Sequence, residues 1–367
     1  MWSSTSILSF QKRLGNMKKR TPYAWVFLAT MAFMSWRVEA SSDGLVVMLR
    51  VDQSEFLSGR PLWLTTIMRN ESDRPFRFLV WGTPFEGVFN ADMFRFDGAA
   101  ALYKGRLVKR AKPNMRDIRT LLPGESISAT LDLAQGYAFT QDGQMKVSLA
   151  TTLYRVHGAP SDEGLMLKPE DMRSLPIAVS IHGTNPAARS GNARQPMPGT
   201  SHCSSRQDDI IRMAVGVASG LAERAANFLV SNAAEAVMPT YFMWFGAYSP
   251  ARYGMVASHF AKIASRLPGI NVDCTCSLPD PEAYFGYISL LQPSTIHVCG
   301  AFWEAPMTGT DSMGGTLVHE TSHFPLVAGT LDIAYGQENA RALARDAPGL
   351  AVHNADNHEY FAEGLPE

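Results

Sequence analysis

Gly315-Thr-Leu-Val-His-Glu-Thr-Ser-His-Phe-Pro-Leu-Val-Ala-Gly-Thr-Leu-Asp-Ile-Ala-Tyr335 carries two histidines four positions apart, with a glutamate directly after the first. On a helix both imidazoles fall on one face, a turn apart, where two nitrogens can reach a single zinc ion. Glu320 then projects beside the metal, placed to take a proton from water. The pattern H-E-x-x-H also arises by chance in many helices, so a metal site needs a third protein ligand and an open position. Asp332 is the candidate, beyond a Gly329-Thr330 turn able to reverse the chain. Tyr335 shares its side if that segment is helical, presenting a phenol that can donate to an oxyanion. Gly314-Gly315 and Pro325 read as the helix boundaries.

Upstream of this motif the period is also helical. Asp208 to about Val230 carries Ile211, Val215, Ala218, Leu221 and Ala225 at helical spacing, and Arg252 to Leu267 does the same with Met255, Val256, Phe260 and Ile263. From Gly44 to about Ile181 the pattern is instead one of short alternating strands, including Leu45–Val51, Leu62–Met68, Phe76–Trp81, Ile127–Leu133, Met145–Leu149 and Leu175–Ile181. Turn residues such as Leu122-Pro-Gly124 separate them, which predicts an antiparallel β-sandwich of immunoglobulin-like type. Between the two regions, residues 184–199 are rich in proline, glycine and small polar residues and read as an exposed, cleavable linker. The expected organisation is multidomain: a leader over 1–40, the sandwich over 41–183, the linker, and a mainly α-helical domain over 200–367. A length of 367 residues fits more than one core.

Composition is ordinary, 46% apolar and 18% charged with net charge −1, which argues against a nucleic-acid binder. The charges divide by region, however. Residues 41–196 hold 19 basic and 16 acidic side chains, whereas the remainder from 197 holds 8 basic and 17 acidic ones, so the helical domain favours cationic partners. At the N-terminus, Lys18-Lys-Arg20 precedes an apolar run from about Tyr23 to Trp36 and then Val38-Glu-Ala-Ser41, the order of a secretory signal. About fifteen apolar residues fall short of the roughly twenty that span a bilayer, so no stable membrane anchor is expected. Export makes disulfides the expected state of Cys203, Cys274, Cys276 and Cys299. Cys274 and Cys276 face opposite ways if the segment is extended, and so should bond elsewhere rather than to each other. Asn70-Glu-Ser72 is a glycosylation sequon, meaningful in a eukaryotic host.

His319-Glu320-x-x-His323 followed by Gly329-Thr330-x-Asp332-x-x-Tyr335-Gly336 resembles the aspzincin metallopeptidases, the deuterolysin group, across the whole helical domain. The resemblance implies one zinc ion held by His319, His323 and Asp332, with Glu320 as base and Tyr335 at the oxyanion. It also implies that Cys203 pairs with Cys274, and Cys276 with Cys299. Asn354-Ala-Asp-Asn-His-Glu-Tyr-Phe-Ala362 resembles the lysine-specific branch, peptidyl-Lys metalloendopeptidases, in which an aspartate and a glutamate line the pocket for the residue after the cut bond. Here these are Asp356 and Glu359. The residues themselves agree, since acids three apart on a helix face one way and together suit an ammonium.

The function expected is that of a secreted zinc endopeptidase acting on proteins or peptides, before lysine. The sandwich resembles the propeptide region of this family, and Lys104, Lys109, Arg110 and Lys112 cluster in Tyr103–Pro113, where one lysine could occupy the acidic pocket as a substrate mimic. Two other readings compete: a broad-specificity protease in which Asp356 and Glu359 are structural, and a secreted binding or adhesion protein built on the sandwich.

Overall fold

A computed structural model of the chain describes residues 39–40, 44–97, 101–161, 164–184, 199–231, 234–292 and 294–366. The charged and apolar parts of the expected leader, and residues 185–198 of the expected linker, lie outside the described residues.

The N-terminal half folds as two large sheets around one core, with a two-stranded sheet, Ala101–Tyr103 with Tyr137–Phe139, beside them. The first runs Glu39–Ala40, Leu45–Val51, Trp63–Asn70, Ser126–Asp132, every pair antiparallel. Within Trp63–Asn70 the buried positions are Leu64, Thr66, Met68 and Asn70, the period of two of a sheet with one covered face. The second sheet is organised by one long strand, Gly143–Ser161, paired with Ile177–His182 and Phe94–Asp97 at one end and with Phe76–Leu79 and Gly164–Arg173 at the other. That strand outruns the Met145–Leu149 expected from its alternation because Ala150-Thr-Thr-Leu-Tyr-Arg-Val156 is rich in β-formers and contains no breaker before Gly158. Phe76, Phe78, Phe94, Met68 and Val147 meet in the shared core. The sandwich is not wholly antiparallel, since Glu55–Leu57 joins Ile177–His182 in parallel. Asn70 is fully buried, and its amide nitrogen donates to Arg74 O (2.7 Å) and Leu121 O (3.0 Å), so the sequon is closed in the folded protein.

The C-terminal half is mainly helical, as its period predicts, with short strands that the period does not reveal. Ser205–Ser231 buries Ile211, Ala214, Ala218, Leu221, Ala222, Ala225 and Leu229, one stripe at helical period, and Pro250–Arg266 buries Val256, His259, Phe260 and Ile263. Against these helices lies a five-stranded sheet in the order Gly199–Ser201, Asn271–Asp273, Thr295–Val298, Tyr284–Ser289, Arg106–Arg110. Its C-terminal strands have three to six residues, too few to stand out by alternation. The last strand comes from the N-terminal half. Arg106–Arg110 pairs antiparallel with Tyr284–Ser289, with Leu107 in the helical core and Val108 in a small cluster with Leu278, Tyr287 and Cys299. The two disulfides join Cys203 to Cys274 and Cys276 to Cys299.

Candidate active site

The motif helix runs from Met313 to Ser322, capped by Ser312, whose hydroxyl accepts from Gly315 N–H (2.8 Å). Gly314 and Gly315 therefore lie inside the helix and not before it. The reason is tertiary: a Cβ on Gly314 would stand 2.5 Å from Val217 Cγ1, and one on Gly315 would stand 1.9 Å from Glu363 Oε1. Only glycine lets this helix approach its neighbours so closely.

His319 and His323 converge on the Asp332 carboxylate. His319 Nε2 lies 3.0 Å and His323 Nε2 3.3 Å from Asp332 Oδ1. Two donors each about 2.0–2.1 Å from a tetrahedral zinc stand about 3.3 Å apart, so the three residues fit that ion. Their outer nitrogens are held as such a site needs. His323 Nδ1 donates to Thr330 O (2.9 Å), and His319 Nδ1 faces Asp356 Oδ1 (2.9 Å) and Glu359 Oε2 (3.2 Å). Burial alone would raise the pKa of Asp332, but attraction to His323 and hydrogen bonds from both histidines outweigh it and hold the carboxyl far below its ordinary range.

Asp332 reaches this place through an extended segment. Gly329 turns the chain at φ 60°, Leu331 bridges to Asn354, and the Asn354 side chain accepts from Ile333 N–H (2.8 Å) and Ala334 N–H (3.0 Å) while donating to Ala334 O (3.0 Å). Residues 332–335 are thus not helical, as a shared side for Asp332 and Tyr335 had required; the next helix begins at Gly336. Asn354, which holds the ligand segment, was not singled out from sequence. Nothing in its spacing marks it.

Glu320 is fully buried, and burial raises its pKa to about 7 against the pull of His319 and His323. Its Oε1 accepts from Lys109 N–H (3.3 Å), and its Oε2 has no hydrogen bond among the described residues. One residue earlier, Val108 N–H donates to Asp332 Oδ2 (2.7 Å). Lys109 turns its side chain into the helix Ala355–Glu363, with Nζ 2.7 Å from Glu359 Oε2 and 4.0 Å from Asp356 Oδ1. Lys112 is exposed and Lys104 half-buried, so Lys109 is the member of the basic cluster in the acidic pocket. Burial, which alone would raise Asp356, is outweighed by the Lys109 ammonium and the His319 hydrogen bond, leaving that carboxyl low.

Arg110 follows under the Tyr335 ring. Its guanidinium pairs with Glu86 Oε1 (2.6 Å) and lies 4.8 Å from the Trp81 ring, 5.2 Å from Tyr284 and 5.8 Å from Tyr335. Tyr335 also meets Trp81 edge-on at 5.5 Å. A cleft of about 590 Å³ continues beyond Lys109, between residues 110–113 and Asp311, Tyr335 and Tyr360.

His358 is not among these groups. It belongs to the helix Ala355–Glu363 and is buried there, with Nε2 3.0 Å from His259 Nδ1 and Nδ1 donating to Asn354 O (2.9 Å). Burial, with repulsion from His259, pushes its pKa down to about 3; burial and then His353 push His259 down to about 4. An unfolded histidine titrates near 6.5, so between that pH and about 4 the unfolded chain holds protons the native one refuses. The contribution to stability is complete above 6.5 and is lost as pH falls. His358 alone should cost on the order of 2 kcal/mol between pH 7 and 5. Urea denaturation at the two pH values checks this: the parent should lose more stability than a His358→Gln variant, and equal losses would contradict it.

The aspzincin model, described as lysine-specific metallo-endopeptidase, matches residues 230–363. An extracellular protease of Aeromonas hydrophila is 33% identical over 312 residues, 82% of this chain and 87% of that protein. A peptidyl-Lys metalloendopeptidase of Armillaria mellea is 37% identical over 247 residues, 67% of this chain and 68% of that one. The solved zinc peptidase of Grifola frondosa is 41% identical over 44% of this chain and 97% of its own, with a TM-score of 0.42.

Proposed function

This chain belongs to the aspzincin family of zinc metallo-endopeptidases, and from that premise we propose that it is secreted as a zymogen, cuts on the amino side of lysine, and is kept latent by strand Arg106–Arg110 of its own N-terminal domain. The observation that carries this reading is the seat of Lys109. Its ammonium is 2.7 Å from Glu359 while its own amide N–H donates to Glu320. An extended peptide taken up on the edge of a sheet adopts the same antiparallel pairing that this strand makes with Tyr284–Ser289. In that register the peptide bond before Lys109 stands where a substrate bond is cut. The leader-like N-terminus and the disulfides support export. Among the described residues no helix is long and apolar enough to cross a membrane.

Zinc bound by His319, His323 and Asp332 supplies Lewis-acid polarisation and brings the pKa of water towards about 7. The rest of the reaction falls to side chains. Glu320, poised near neutrality by burial, takes the proton of the attacking water on its free Oε2 and returns it to the lysine nitrogen. Lying 3.3 Å from that nitrogen in the latent state, it needs little movement to do so. Tyr335 donates to the oxyanion once the strand has left and Arg110 no longer covers its ring. Glu359 and Asp356 hold the ammonium of the residue after the cut bond.

Mapping cuts by mass spectrometry tests the specificity. On reduced casein the processed enzyme should produce peptides that begin with lysine. Scattered cuts would instead assign a broad specificity, and no cuts would favour a binding role for the sandwich.

A further inference from the structure

We propose that Asp311 is a third lysine-reading carboxylate, set at the mouth of the pocket and acting with Glu359 to select an ammonium side chain. The proposal rests on Lys109 standing where a substrate lysine binds. Its Nζ lies 3.3 Å from Asp311 Oδ1, closer than the 4.0 Å to Asp356.

Asp356 is committed elsewhere. Its Oδ1 is 2.9 Å from His319 Nδ1, and its Oδ2 accepts from Gly336 N–H at 2.6 Å. One carboxylate thereby steadies a metal ligand and the turn after Tyr335, which leaves the ammonium short of a second close anion. Asp311 supplies it from another element, the loop ahead of the motif helix.

That loop is shaped for the purpose. Asp311 has φ 52°, a left-handed backbone that aspartate and asparagine tolerate better than most residues. Its N–H donates to Glu363 Oε2 (3.2 Å), and its Oδ1 accepts from Tyr360 O–H (2.7 Å), so both backbone and carboxylate are aimed. Phe285 and Tyr360 complete the enclosure, with ring centres 5.0 Å and 5.6 Å from Nζ. The Asp311 side chain is 34% exposed against 3% and 0% for Asp356 and Glu359, and it lines the open cleft. It is therefore the first of the three acids an incoming lysine meets.

The test uses the active enzyme obtained from the secreted full chain and two peptides that differ only in lysine or norleucine after the scissile bond. For Asp311→Asn, which keeps the shape and accepts the same backbone, the lysine-to-norleucine ratio of kcat/KM should fall about tenfold, as expected when one charge-assisted contact is lost. A partly misfolded preparation lowers both rates alike and leaves the ratio untouched. An unchanged ratio in Asp311→Asn, with a fall in Glu359→Gln, overturns the role of Asp311 and leaves the lysine reading standing. A parent enzyme that cuts both peptides equally overturns the lysine reading and this proposal together.

Discussion

Glu320→Gln should leave the protein folded and metal-loaded while lowering turnover of a lysyl peptide about a thousandfold, the middle of the range for one general acid–base group. The side chain is fully buried and its proton affinity is already raised to about 7, so an uncharged amide of the same shape relieves a desolvation cost rather than adding one. The amide oxygen can still accept from Lys109 N–H as Oε1 does. What is lost is the ability to take a proton and return it. Metal content by mass spectrometry and initial rates on the same samples separate the two effects. Turnover within tenfold of the parent, with metal retained, would remove Glu320 as the base.

Lys109→Met should release latency. The Lys109 side chain is 2% exposed, and its ammonium is the cation facing Asp311, Asp356 and Glu359. Removing one partner of a buried ion pair costs about 3–5 kcal/mol, which here loosens the seat of one strand rather than a core. The full-length variant should then hydrolyse a lysyl peptide about a hundredfold faster than the intact parent, before any processing. Gel analysis of the assayed sample establishes that the chain is intact. A variant as silent as the parent would assign latency to the rest of the N-terminal domain, with Arg110 and its partner Glu86 the next residues to change.

The convergence of His319, His323 and Asp332 was legible because it depends on short-range geometry. Four residues from His319 to His323 is one helical turn, and Gly329 with Thr330 marks the reversal that returns Asp332. That Asp356 and Glu359 face the same way was legible for the same reason, since they are three apart on one helix. Features that depend on distant contacts were not. Gly314 and Gly315 read as a helix boundary, yet they are interior residues required by Val217 and Glu363. Arg106–Arg110 reads Arg-Leu-Val-Lys-Arg, with no alternation, and so short a run cannot say which sheet it joins. Lys104, Lys109 and Lys112 are equivalent in sequence; the register with Tyr284–Ser289 alone distinguishes them. Asp311 carries no signal at all, because its role arises from a left-handed backbone and from Tyr360, 49 residues away.

The segment from Gly199 to Cys203 is fastened twice to the same stretch, residues 271–274. Gly199–Ser201 lies parallel to Asn271–Asp273, and Cys203 is bonded to Cys274 within the same structure. A cut in 185–198 would therefore leave Gly199–Ser201 fastened in place, and Arg106–Arg110 still paired along the other margin of the sheet. Cutting and vacating become separate events. The first turns a tethered occupant into a free one, whose return is governed by dilution rather than by the effective concentration of a shared chain. On the proposed latency, a nicked molecule would stay shut where it is concentrated and open on dilution.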